Sequence, residues 1–206
     1  MLKSGIFMLS LFTMISTQIV VDGTINQAEW SLYSNLKTDT VLIREDLDHI
    51  YIGIHSNGQC FANVFISIGD TIFIFHASGS IARATYVKTG DFYQLKQGFE
   101  FRLKDPSIEK SDKVYEDRQN EHYRLYNWLA NTISIGNSSE IEYKLKKRKS
   151  KNNYEKIAVS YSINGFSEKS FPSVFITDPK QRQALLFGNT PEKIGIDPNK
   201  LKSLHQ

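Results

Sequence analysis

The stretch "HYRLYNWLANT", residues 122–132, gathers side chains that could hold a sugar. Read as a β-strand, whose side chains alternate between faces, it sets His122, Arg124, Tyr126 and Trp128 in one row. Tyr123, Leu125, Asn127 and Leu129 form the other row. Aromatic faces cover the CH faces of a pyranose and a guanidinium donates to its hydroxyls. The first row is therefore the candidate ligand-binding platform. The alternative buries Trp128 and Tyr126 in a core and leaves His122 and Arg124 at a solvated strand end. Parity alone does not say which face is wet.

A second candidate is electrostatic. "KLKKRKSKNNYEK" carries Lys144, Lys146, Lys147, Arg148, Lys149 and Lys151 and reads as the tip of a long hairpin between two strands. Such a tip could attract phosphate, an acidic glycan, a lipid headgroup layer or an envelope protein, within a screening length of ~8 Å at physiological salt. The plainer alternative is a solvated loop whose charges keep strand edges from pairing with other chains. His55 and His76 lie on expected strands, without the spacing that zinc's three or four ligands show, so no metal is expected there. His76 in "FIFHAS" reads instead as a hydrogen-bonded histidine in a largely buried strand.

Catalysis leaves little trace. The chain lacks Gly-x-Ser-x-Gly, His-Glu-x-x-His and a phosphate-cradling glycine loop. Asp46-Asp48 and Glu116-Asp117 read as turns, and a glycosidase carboxylate pair has no fixed sequence spacing. A non-catalytic binding role is the expectation, ahead of a carbohydrate-active enzyme.

The elements that must position these residues are strands. In "HIYIGIHS", Ile50, Ile52 and Ile54 share one face, and Tyr51, Gly53 and His55 the other. "FANVFISIGDTIFIFHAS" reads as two strands around Gly69-Asp70, a two-residue hairpin connection needing positive φ. "NLKTDTVLIRED" precedes them, set off by Asp46-Leu47-Asp48. "SIARATYV", "GFEFRL", "HYRLYNWLANTI", "SEIEYKL" and "YEKIAVSYSI" supply further strands. Residues 104–121 are charged and aperiodic, and read as an exposed loop with at most a helical turn. A helix is expected from Pro179 to about Phe187, stopped by Gly188, with Leu185, Leu186 and Ile194 packing back on the strands. Short strands without a sustained helical stripe imply an all-β, antiparallel sandwich or barrel over residues 19–178, jelly-roll or immunoglobulin-like, with a C-terminal extension over 179–206.

Composition bounds the rest. The chain has 206 residues and a formal charge of +3, too mild to argue for nucleic acid. Cys60 is the only cysteine, so no intramolecular disulfide forms, and its place in an apolar run reads as an inert buried thiol. "MLKSGIFMLSLFTMISTQ", residues 1–18, has a basic start, a short apolar core and small residues after it. That is the layout of a signal peptide, too short for a span of ~20 residues. An exported protein, periplasmic or extracellular and without a membrane span, is expected.

With that leader set aside, "VDGTINQAEW" followed by "REDLDHIYIGI" resembles the N-terminal signature of family-nine carbohydrate-binding modules and their DOMON-like relatives. Asp22, Gly23, Glu29, Trp30, Asp46 and Tyr51 fill the signature positions. The resemblance implies a sandwich in which Asp22-Gly23 turns the incoming chain, Trp30 plugs one end and Tyr51 begins a central strand. It covers residues 19–56 and becomes diffuse beyond them. Tyr154-Glu155 fits the family's late strand only loosely, because no proline follows. Such modules bind saccharides, and DOMON relatives bind sugars or haem. Haem in that family takes Met and His ligands, yet Met1, Met8 and Met14 all lie in the leader. That excludes the common haem arrangement and leaves only a bis-His or His-Lys site; no cofactor is expected, and structural calcium is left open.

Overall fold

The computed structural model describes residues 19–26, 28–30, 40–103, 113–132, 139–147, 156–165 and 167–204. The expected leader, Arg148, Lys149, Lys151, Tyr154 and Glu155 lie outside them.

The alternating first half folds into hairpins. Thr40–Glu45 (β1) and His49–His55 (β2) pair antiparallel, with Ile43 opposite Ile52. Their turn is closed by Asp46, whose Oδ1 accepts from the backbone N–H of Asp48 at 2.8 Å and of His49 at 2.7 Å, an Asx turn. Cys60–Ile68 (β3) and Thr71–Ala77 (β4) meet at Gly69, φ +56°, as a two-residue connection requires. Ser80–Thr89 (β5) continues the meander, followed by Phe92–Gln97 (β6) and the two-residue Arg102–Leu103 (β7).

The later elements are the helix Lys113–Tyr126 (α1) and the strands Trp128–Thr132 (β8), Glu140–Lys146 (β9), Lys156–Ile163 (β10) and Ser167–Phe171 (β11). The helix Pro179–Leu186 (α2) and the strands Lys193–Ile194 (β12) and Lys202–Ser203 (β13) complete the order. One sheet has the order β1-β2-β9-β8; the larger has β11-β10-β3-β4-β5-β6-β12, with β13 beside β10 and β7 beside β5. Every pairing among the described strands is antiparallel.

The two sheets face each other across a core of Ile50, Ile52, Ile54, Ile141 and Tyr143 from one and Ala62, Val64, Ile66, Phe75 and Val159 from the other. The Tyr143 hydroxyl crosses that core to donate to the Ala62 carbonyl at 2.9 Å. The fold is all-β, two antiparallel sheets packed as a sandwich. Cys60 is buried in it.

Both outer faces are covered as well. Ile19, Val21, Ile25 and Trp30 lie on Leu42 and Tyr51 of the smaller sheet. Phe175, Ile176, Leu185, Ile194, Ile196 and Leu201 lie on Phe65, Ile72, Ile74, Ala84 and Tyr86 of the larger. The expected helix is α2, capped by Asp178, whose side chain accepts from the Lys180 N–H, and ended by Gly188 at φ +79°.

Three readings are corrected. Residues 113–126 form a helix, so His122, Arg124 and Tyr126 are not strand residues, and the second half of the expected loop is helical. After Val114 the run holds no β-branched residue and is rich in Glu, Arg, Gln and Leu, which lose little freedom in a helix. Asn127 ends it with φ +60°, its N–H bonding the Tyr123 carbonyl at 2.8 Å, the left-handed exit that Asn tolerates. Secondly, "GFEFRL" contributes only Arg102–Leu103, while the fuller strand at this edge is β6. Thirdly, β9 and β10 do not form the expected hairpin: they belong to different sheets, and Lys144 and Lys146 are themselves strand residues, while Arg148, Lys149 and Lys151 lie outside the described residues.

Candidate functional site

Three of the six signature residues, Asp22, Gly23 and Trp30, converge on one buried carboxylate. In β9, Ile141, Tyr143 and Leu145 point into the core, so Glu140, Glu142 and Lys144 point the other way. That face would be solvent if residues 19–30 did not lie across it. Glu142 is fully buried. Its Oε2 accepts from the backbone N–H groups of Asp22 (3.1 Å) and Gly23 (2.9 Å), and its Oε1 from the Trp30 indole N–H (3.0 Å). Burial pushes the carboxyl up to about 7, opposed by the Trp30 and Gly23 donors.

Beside it, Glu140 accepts from the Ile25 N–H at 3.0 Å and pairs with His55 at 2.8 Å. Gly23 is at φ +88°, and a Cβ there would sit 2.4 Å from the Thr132 carbonyl carbon, so only glycine fits. Trp30 packs over Gly53, where a Cβ would come within 3.1 Å of the indole. Trp30 is buried, as a plug should be. Asp46 and Tyr51 bond each other at 3.0 Å. Partial burial raises the Asp46 carboxyl, but donors from Asp48, Tyr51 and His49 outweigh it and hold the group at about 2. Glu29 completes the set, its side chain accepting from the Val20 N–H at 3.4 Å, and these six residues are scaffold: they seat the N-terminal segment and its sheet.

The exposed chemistry sits where α1 passes into β8. Spacing by four places His122 and Tyr126 on one helix face, their rings 4.7 Å apart. Trp128, the first residue of β8, meets the His122 ring at 5.3 Å. Three of the four platform residues thus come together, by a helical route. Arg124 does not join them; it is exposed in the last turn, where a cation suits the helix dipole. Trp128 is core, packed on Phe75 at 5.1 Å and 3% exposed, so it offers no stacking face. Burial and the Arg102 cation push the His122 imidazole down to about 4, leaving it neutral at pH 7. Arg102 takes the place expected of Arg124: its guanidinium stacks over Tyr126 at 4.2 Å and donates to the Tyr126 hydroxyl.

Two hollows flank Tyr126. A shallow cleft of about 50 Å³ is bordered by Gln97, Glu100, Arg102, His122 and Arg83. A larger cavity, about 240 Å³, opens between the sheets, and Arg83 and Tyr126 border both. No family model, curated protein or solved structure matches this chain. The site must therefore be read from its own chemistry.

The basic candidates disperse. Lys144 lies over the rings of Tyr123 (5.0 Å) and Tyr51 (5.9 Å). Lys147 pairs with Glu45 at 2.7 Å and donates to the Asp46 carbonyl at 2.8 Å. Lys146 is the exposed one of the described three. His76 is buried, Nδ1 at 2.9 Å from Asn63 Oδ1 and Nε2 at 3.1 Å from Ser78 Oγ. Among the described residues, no group of three or more His, Cys, Asp or Glu side chains could hold a metal ion. No described helix is long and apolar enough to cross a membrane.

Sequence reasoning missed Glu142, Arg102, Gln97 and Glu100. Glu142 had one indirect signal: "EIEYKL" alternates, and the apolar residues 19–30 need a partner face. Arg102 and Glu100 had none, because they reach Tyr126 through tertiary packing alone.

Proposed function

We propose that the protein is an exported, non-catalytic binding domain of the carbohydrate-binding-module or DOMON-like sandwich type. Its saccharide site is the cleft beside Tyr126. The observation that carries this reading is the convergence of Gln97, Glu100, Arg102 and the neutral His122 on the partly exposed ring of Tyr126. Those groups offer donors and acceptors around an aromatic edge, the composition that saccharide hydroxyls and CH faces call for. The seating of Asp22-Gly23 and Trp30 on Glu142 is the architectural support for the family resemblance.

A glycan array followed by calorimetric titration of the full chain tests the proposal. Saturable binding of a saccharide is expected, weakened about tenfold or more by Tyr126→Ala or Glu100→Gln, because an unmade hydrogen bond in a desolvated site costs ~1–3 kcal/mol. A flat response to neutral and acidic saccharides ends the sugar reading. Trp128→Ala is not a useful probe, since it removes core.

A further inference from the structure

The β4–β5 turn carries chemistry that the cleft beside Tyr126 does not use. On the outer face of the larger sheet, register sets Asn63 of β3 directly opposite His76 of β4. Asn63 Oδ1 lies 2.9 Å from His76 Nδ1, and His76 Nε2 lies 3.1 Å from Ser78 Oγ. A carboxamide oxygen only accepts, which keeps the imidazole proton on Nδ1 and turns the Nε2 lone pair toward the Ser78 hydroxyl. Ser78 Oγ also lies 3.3 Å from the carbonyl and from the N–H of Ser80. The imidazole is the shortest of the three contacts. A hydroxyl, an imidazole and a group that orients the imidazole, linked in that order, make a serine nucleophilic.

Access to the three groups is unequal. Asn63 and His76 are buried, whereas Ser78 is partly exposed at the turn. The N–H of Gly79, the next residue, takes no partner among the described residues, and it offers a donor to a developing oxyanion. The rings of Phe99 and Phe101 lie on the imidazole at 5.4 and 5.5 Å, and Phe101 is 46% exposed. A carbonyl carrying an apolar acyl group can therefore reach Ser78 with its chain along Phe101. The same rings shield His76 from the water that it would have to activate to release the acyl group again.

We propose that Ser78 is a covalent acceptor for one acyl group, taken from an activated ester with an apolar acyl chain. Ser78 Oγ bonds the acyl carbon, and the bond from that carbon to the leaving oxygen breaks. The hydroxyl proton passes to His76 Nε2 and from there to the leaving oxygen. Asn63 is a positioning residue, acting through His76. The capture goes beyond the saccharide reading and, being a single event without turnover, is compatible with a binding domain. That reading rests on Glu100 and Arg102, this one on Ser78 and His76, so either can fail alone.

Incubation of the full chain with p-nitrophenyl butyrate, followed by intact mass and peptide mapping, tests it. One equivalent of p-nitrophenolate per chain is expected, with one butyryl group on Ser78. Alkaline hydroxylamine should remove that group, because it is an ester, and spare any amide on lysine. Ser78→Ala, at a partly exposed turn position, should abolish the ester. Asn63→Leu keeps the volume without the acceptor and should slow acylation about tenfold or more, part of the ~10²–10⁴ that a positioned base supplies. Asn63→Asp should restore the rate, a rescue that packing alone does not explain. Cooperative melting of each variant is checked alongside, and the wild-type peptide map decides by itself if a variant does not fold. Butyryl groups on lysines only, equal rates in wild type and Asn63→Leu, or release continuing past one equivalent each overturns the proposal.

Discussion

The two outer covers of the sandwich solve one problem by opposite means. The C-terminal cover is held by hydrocarbon: thirteen buried residues form its cluster, with Phe65 and Phe175 edge-to-face at 4.7 Å. The N-terminal cover has a cluster of six and depends on Glu142 and Glu140 to take up its backbone N–H groups. The cluster under the first cover contains no carboxylate. The other hangs on a buried acid whose charge changes near neutrality.

The largest effect should come from the plug. Trp30→Ala should cost about 3–5 kcal/mol by urea unfolding, the range for an aromatic core deletion, and it also removes a donor from Glu142. Phe175→Ala in the other cover should cost a similar amount. The comparison sharpens in the pH dependence, which Trp30→Ala should alter and Phe175→Ala should not.

Glu142 fixes the sign. Its folded pKa of about 7 lies above the ordinary glutamate value of 4.5, so folding takes up a proton in between. Its contribution is full below pH 4.5 and is lost as pH rises through 7, by an amount on the order of 3 kcal/mol. Glu142→Gln should flatten that limb. It should also cost about 1–3 kcal/mol at pH 5, because the amide turns an N–H toward donors. Equal slopes of stability against pH in wild type and variant would remove the contrast between the covers.

A backbone change comes next. Gly23→Ala combines φ +88° with a Cβ 2.4 Å from Thr132 backbone, and should cost about 2–3 kcal/mol. Gly90→Ala, at φ +62° with nothing within 4 Å, should cost only about 1 kcal/mol. The smallest effect belongs to Asp46. Its folded pKa of about 2 lies below 3.8, so its stabilisation is present above pH 4 and lost as pH falls toward 2. Solvent screening keeps it under ~1 kcal/mol, and Asp46→Asn should shift the acid limb alone.

The strands were legible where one side chain in two is apolar and the neighbours are turns: β2, the β3–β4 hairpin, β5, β9 and β10 follow from that rule. So did α2, through its Asp-Pro start and Gly188 stop. Helix α1 was not legible, because none of its described residues is buried and no apolar stripe marks a helical period. Tyr126 and Trp128, two apart, imitated strand alternation across a helix end. Of the site, the ring cluster was visible as composition, but its guanidinium was assigned to Arg124, a sequence neighbour. Arg102 reaches Tyr126 from a distant strand. The turn-forming role of Asp22-Gly23 was readable; the acid that receives it, 119 positions after Gly23, was not.

Leu201 seals the outer face of the larger sheet, and Leu204 reaches the central core from the very end of the described chain. Until Leu201 and Leu204 are free to fold back, neither layer of this sandwich is complete, whatever its strands have already paired. Before that, the hydrocarbon beneath those leucines stays available to chaperones.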